Sequence, residues 1–204
     1  MTLKLNTPLG GSISFAPTNT ASDYIITLPD EAGTVLTNAS DLTGVTGVPN
    51  PLTFGTGVAS TSGTAIDFTG IPSWVNRITV LLKNVSTNGS AYPMIQIGSG
   101  SITTSGYEST TGYTGTSTSS VSIATGFIIM VPNSTSRYSG VSTITRVEGN
   151  SWVYSSVLGR VNDSYVMSSG GHSPTLSGVL DRIRLTTSSG TDLFDSGFIN
   201  IMYE

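Results

Sequence analysis

Three features of this 204-residue chain predict an all-β fold. Ser and Thr make up nearly a third of the residues and Gly contributes 24, while the good helix formers Glu, Lys, Gln and Arg are scarce. Short apolar runs alternate with hydroxyl residues at a period of two, the pattern of a half-buried strand. Turn-forming Gly, Pro, Asn and Asp punctuate these runs at short intervals. Hydrophobic residues account for 37% and charged residues for only 10%. Disorder needs low hydrophobicity together with high net charge, so this polarity, carried by hydroxyls, belongs to a folded chain. The expected architecture is a small N-terminal β module followed by a jelly-roll-like antiparallel β-sandwich.

The first 40 residues read as three extended segments, at 11–17, 23–29 and 33–38. Ile13 and Phe15 alternate with Ser12 and Ser14, and Tyr24, Ile26 and Leu28 share one face. Pro17 and Pro29 close the first two runs, where a ladder donor is no longer needed. A meander this small cannot bury enough surface to stand alone. With no cysteine to form a disulfide, the expected support is oligomerisation, and Phe15 and Tyr24 are its structural or interface residues. Residues 41–55, "DLTGVTGVPNPLTFG", read as a Gly/Pro linker. The domain expected over 56–204 contains strands near 64–69, 77–84, 92–98, 121–131, 138–147, 151–159, 164–168, 181–187 and 197–203. "VEGNSW" (147–152) marks a hairpin. In 77–83, Ile78, Val80 and Leu82 share one face, and Leu81 breaks the polarity of the other, as though a neighbouring subunit covers it. "DRIRL" (181–185) repeats the pattern, with Ile183 and Leu185 inward. Trp74, behind the Pro72 corner, is expected to lie as a lid over the sandwich end, and Trp152 to serve the core or an interface. The stretch 99–120 is too polar for a core strand, and its Tyr107 and Tyr113 are placed on a surface loop.

The formal net charge of −4 and pI near 4.8 count against nucleic acid as a partner. No basic n-region followed by an apolar stretch marks a secretory signal, and no apolar run is long enough for a membrane span. The absence of cysteine leaves no thiolate zinc site, and no cofactor is expected. The lone histidine, His172, lies in "SSGGHSPTLSG", with Asp163 or Asp181 as formal triad partners. No G-x-S-x-G elbow accompanies it, so it reads as a solvated loop residue. A symmetry-axis metal or anion site at His172 is the alternative for a trimer. Asp192 and Asp195 in "GTDLFDSG" have the look of a glycosidase pair, yet their spacing is equally that of a loop-capping Asx pattern. Nucleotide-binding and calcium-loop motifs are absent. The Asn-x-Ser/Thr triplets at Asn38, Asn84, Asn88, Asn133 and Asn162 arise by chance at this Ser/Thr content. Aromatic rings among hydroxyls suit saccharide recognition, with Tyr107, Tyr113, Tyr138, Trp152, Tyr154 and Tyr165 as participants. The surface-binding residues expected in loops are Tyr107, Tyr113 and His172.

Residues 7–38, "TPLGGSISFAPTNTASDYIITLPDEAGTVLTN", resemble the short β module near the N-termini of bacteriophage tail-fibre and related virion proteins. The segments "DFTGIPSWVNRITVLLKNVSTNGSAYPMIQIG" (67–98), "SGVLDRIRLTT" (177–187) and "GTDLFDSGFINIMYE" (190–204) look like the C-terminal domain of similar phage proteins. The resemblance leaves out the middle, 99–176. It implies a homotrimer on the virion surface, made in the host cytoplasm. The module 1–40 would attach to capsid or tail proteins, and the sandwich 56–204 would face outward. A fibre-like adhesin binding host-surface glycan is the first expectation. The alternative is a capsid decoration (cement) protein seated on local three-folds, favoured by the short chain and the lack of a coiled-coil shaft. A depolymerase is disfavoured, because no solenoid repeat is present. Catalytic residues and metal ligands are therefore not assigned.

Overall fold

The computed structural model describes residues 3–6, 12–15, 52–115, 117–162 and 164–204. The chain divides into two units, Met1–Leu42 and Thr43–Glu204. In the first, β1 (Leu3–Asn6) and β2 (Ser12–Phe15) pair antiparallel, with Leu3 opposite Phe15. β2 falls within the segment expected at 11–17, and β1 is a strand the sequence did not suggest. The segments expected at 23–29 and 33–38, with Tyr24 and the side chain of Phe15, lie outside the described residues.

The second unit opens with two short strands, β3 (Thr53–Phe54) and β4 (Val58–Ala59), the first inside the segment read as a linker. β5 (Ala65–Thr69), β6 (Arg77–Thr87), β7 (Pro93–Ser99) and β8 (Ser101–Ile102) follow. Next come β9 (Glu108–Thr114), β10 (Thr118–Ile123) and β11 (Phe127–Ile128). The last five are β12 (Tyr138–Glu148), β13 (Ser151–Arg160), β14 (Tyr165–His172), β15 (Arg182–Thr187) and β16 (Phe194–Tyr203). The large sheet has the order β10-β9-β14-β13-β12-β6-β16-β3, with β4 also paired to β16. The small sheet runs β11-β7-β15-β5, with β8 folded back on β7. All pairings are antiparallel and no helix occurs among the described residues, so the chain is all-β.

Both sheets contribute to one core. Ile66, Phe68, Ile95, Ile97, Ile183 and Leu185 come from the small sheet, opposite Ile78, Val80, Ile144, Trp152, Leu158 and Ile199 of the large one. Each aliphatic side chain withdrawn from water in this way stabilises the fold by roughly 1.5–3 kcal/mol. In β6 the inward positions are Ile78, Val80 and Leu82, and then the phase slips to Val85 and Thr87. A bulge causes the slip: Gly140 of β12 faces Leu82 and Tyr138 faces Val85, leaving two β6 residues against one. The extra residue, Asn84, adopts φ 54°, a left-handed conformation that Asn tolerates better than most side chains. The bulge carries β6 past its expected end at 84.

Two expectations are corrected. The polar stretch 99–120 is not a surface loop, because it contains β8, β9 and half of β10, and β9 is an interior strand between β10 and β14. Its inward residues Ser109 and Thr111 are buried hydroxyls with partners. Ile128 N donates to Ser109 Oγ (3.0 Å), and Thr111 Oγ1 accepts from Ser169 Oγ (2.7 Å). A paired hydroxyl escapes most of the cost of burial, so the strand holds without apolar inward residues. The single strand expected at 121–131 is instead β10 and β11, in different sheets, broken at residues 124–126 by the passage from one sheet to the other.

Candidate functional site

His172 ends β14, with Val153 of β13 on one side and Glu108 of β9 on the other. Its Nε2 lies 3.3 Å from Glu108 Oε2, and its Nδ1 lies 3.2 Å from the Ser173 carbonyl oxygen. Both side chains are mostly exposed, so the pair contributes little to stability. His172 borders two concavities. One, of about 630 Å³, is also lined by Glu108, Thr110 and Ser122, and the other, of about 430 Å³, by Trp152, Pro174 and Glu148. Among the described residues no serine hydroxyl reaches the imidazole, and no three His, Asp or Glu groups converge as a metal site would require. Asp163 lies outside the described residues. Asp181 is turned elsewhere: it accepts from Gly100 N (3.1 Å) and takes a two-pronged contact from Arg182 (2.8 and 3.1 Å). Those bonds hold its carboxyl below the usual carboxylate range.

Asp192 and Asp195 are occupied as loop supports. Asp192 accepts from Ala91 N (2.8 Å) and from Ser189 Oγ (3.2 Å), tying the β15–β16 turn to the β6–β7 turn. Asp195 accepts from the Ser86 hydroxyl. Neither acid makes an Asx turn, because the bonds to Ser86 and Ala91 reach β6 and the β6–β7 turn rather than the backbone two residues on.

The aromatic candidates separate by burial. Tyr107, expected on a surface loop, is 1% exposed. Its ring meets Phe127 edge-on at 5.0 Å, and its hydroxyl accepts from Ile97 N (2.9 Å) and donates to Thr103 O (3.0 Å). Burial pushes its phenol up to about 12. It anchors the core because a Tyr hydroxyl in the interior finds backbone partners. Tyr138, Trp152 and Tyr154 are buried as well, and Tyr154 stacks on Phe127 at 4.8 Å. Burial also pushes the Tyr154 phenol up, beside the hydroxyls of Ser142, Ser156 and Ser169. Tyr113 is half-buried and packs edge-on against Tyr165 (5.3 Å), itself covered by the Arg160 guanidinium. Trp74 is half-buried against the core, 5.8 Å from the ring of Tyr203.

Of the outward face of the large sheet, the sequence reading singled out only Leu81. One cross-strand row runs Ser120, Gly112, Ser168, Val157, Val141, Leu81, Asn200, without a charge. The next row runs Ser122, Thr110, Gly170, Ser155, Thr143, Thr79, Met202, also uncharged. Val157 is 56% and Val141 45% exposed, side by side on adjacent strands, with Val153 and Val166 nearby on the same face. The signal was available in "WVYSSVLG": while Trp152, Tyr154 and Leu158 point inward, Val153 and Val157 must point out. Compared with known proteins, the chain matches no family model, no curated protein and no solved structure.

Proposed function

We propose that this protein is a structural protein of a bacteriophage virion, a surface-exposed fibre-like homotrimer used for adhesion to the host surface. The resemblance of residues 7–38, 67–98, 177–187 and 190–204 to phage virion proteins supplies the setting and the three-fold assembly. The observation that carries the reading is a pair of uncharged cross-strand rows at the centre of the large sheet's outward face, one of them holding Leu81, Val141 and Val157. Exposed apolar patches of this kind mark contact surfaces. A patch without charge can meet another copy of itself without like-charge repulsion, and obligate subunit interfaces are apolar in the same way. In this reading the sandwich is jelly-roll-like, with the chain crossing between sheets from β5 to β6, from β10 to β11 and from β14 to β15. Residues 1–40 attach to the particle, and the sandwich faces outward.

Capsid decoration is the second reading, favoured by the breadth of the same face, which suits lying flat on a capsid lattice. Quantitative mass spectrometry of purified particles separates the two. A few to some tens of trimers per particle accords with a fibre, and well over a hundred with decoration. A chain absent from purified particles overturns both.

A further inference from the structure

The chain has eight cationic residues, and all except Lys4 have described side chains. Five of these seven are engaged. Arg77 pairs with Glu204 (3.1 Å), Arg182 with Asp181 (2.8 Å) and Arg184 with Asp67 (2.7 Å). Arg146 reaches Asn76 Oδ1 (3.3 Å) and lies over Trp152, and Arg160 lies over Tyr165. The other two, Lys83 and Arg137, make no ion pair and no side-chain hydrogen bond among the described residues. Both are exposed, and both line one concavity of about 400 Å³ with Asn84, Ser196, Gly197 and Phe198. No acid lines it, so two positive charges stand uncompensated in an acidic protein.

The backbone around these side chains is specialised. The β6 bulge sits at Asn84, and β16 is irregular at the same level, between Ser196 and Phe198. Gly197 has φ 106°, and a Cβ there would come within 2.6 Å of the Asn84 carbonyl oxygen, so a bare backbone is required. Bulges of this kind re-aim side chains, and strained residues collect at binding sites. Lys83 stands directly opposite Phe198 and so shares its face. The Phe198 ring is 46% exposed and lies flush on Gly57, where any side chain would overlap it. Arg137 is held from behind: its N donates to Asn162 Oδ1 (3.0 Å), and its carbonyl accepts from Val161 N (2.8 Å).

We propose that this concavity binds a carboxylated sugar, a uronic or sialic acid unit of a surface polysaccharide. The carboxylate is held by the Arg137 guanidinium and the Lys83 ammonium, the pairing in which a charge-assisted hydrogen bond is strongest. The apolar C–H face of the sugar ring lies on Phe198, and Asn84 and Ser196 serve its hydroxyls. The biological use of the site rests on the adhesion reading, while the site itself rests on its own geometry.

The test is a titration of the full chain with glucuronic acid and N-acetylneuraminic acid, followed by NMR or calorimetry, with glucose and inorganic sulfate as controls. Glucuronate or N-acetylneuraminate should bind, and glucose and sulfate at least tenfold more weakly. Lys83→Gln and Arg137→Gln should each weaken the acidic sugar about tenfold or more, the cost of one charge-assisted bond. Phe198→Ala should weaken the sugar and leave sulfate unchanged. Circular dichroism confirms that these surface variants fold. Neither acidic sugar binding, equal binding in the doubly charge-neutralised variant, or sulfate binding as well as the sugars would each overturn the proposal. So would a fall in oligomeric mass of that variant without sugar binding by the wild type, which would assign the cations to a subunit contact. Sugar binding by a chain that fails to adhere to cells would uphold the site and overturn the adhesion reading instead.

Discussion

The two faces of the large sheet are made from nearly the same residue types and do opposite things. Along β13, Trp152, Tyr154, Ser156 and Leu158 point into the core, and Val153, Ser155 and Val157 point away from it. Inward hydroxyls answer one another: Ser142 and Ser156 lie 2.8 Å apart, and Ser169 donates to Thr111, in a buried row crossing β12, β13, β14 and β9. Outward hydroxyls are spaced among exposed valines, with no second layer over them among the described residues. Along β13 what distinguishes inside from outside is therefore the inward Trp152, Tyr154 and Leu158 against the outward valines. The outward face lacks Trp and Tyr, and its charges, Arg77, Lys83 and Glu108, stand outside the two central rows. Its two central rows resemble an interior without a lid, and in the proposed trimer a second copy would cover them.

The largest expected effect lies on the inward side. Trp152→Ala removes the largest of the fully buried side chains, at 1% exposure, and should cost about 3–5 kcal/mol in a urea unfolding titration. Trp74→Ala should cost clearly less, because Trp74 is only half-buried. Equal costs would break the distinction between the core proper and its rim. The next effect lies outward. Val141→Asp combined with Val157→Asp places like charges on the proposed contact and should weaken self-association by about a hundredfold or more in sedimentation. The circular dichroism spectrum should be unchanged, since neither residue reaches the core.

A third effect sharpens the role of buried hydroxyls. Tyr107→Phe leaves Ile97 N without its side-chain partner and should cost about 1–3 kcal/mol at neutral pH. Burial raises the Tyr107 phenol from 10.0 to about 12, so its neutral form stabilises the fold fully below pH 10. That contribution is lost as pH climbs through the raised value. The wild type should lose stability across this window and Tyr107→Phe should lose less, as read from urea midpoints. The smallest effect belongs to the surface pair Asp67–Arg184, where the Arg184 guanidinium holds the Asp67 carboxyl below its ordinary range. Its contribution is present above the ordinary carboxylate pKa and disappears as pH falls through the lowered one. Asp67→Asn should therefore cost under about 1 kcal/mol at pH 7, and the difference from wild type should vanish in acid.

How much of this was legible in the sequence follows from the same contrast. Where inward residues are aliphatic, as in Ile78-Val80-Leu82 or Ile183-Leu185, period-two reading places the strand and its face. In β9 the inward residues are Ser109 and Thr111, and their burial depends on Ser169 and Ile128, far along the chain, so no local pattern announces it. The bulge at Asn84 hides the continuation of β6, because the alternation slips phase there. Tyr107 was misplaced for a related reason: its pocket is built by Phe127, Ile97 and Thr103, and its own neighbours are Ser, Gly and Glu. His172 was read as a solvated loop residue; its side chain is exposed, but it ends strand β14, and its partner Glu108 comes from a strand that the sequence did not reveal. Lys83 of β6, Phe198 of β16 and Arg137, just before β12, are brought together by the fold, and their spacing in the sequence carries no hint of it.

The outward face as a subunit contact is the centre of the account, and the native mass of the full chain in solution tests it most directly. Sedimentation equilibrium or native mass spectrometry should give three times the 21.1 kDa chain mass, stable on dilution into the nanomolar range. A stable species of 21.1 kDa, with Val141 and Val157 freely exposed, would contradict it.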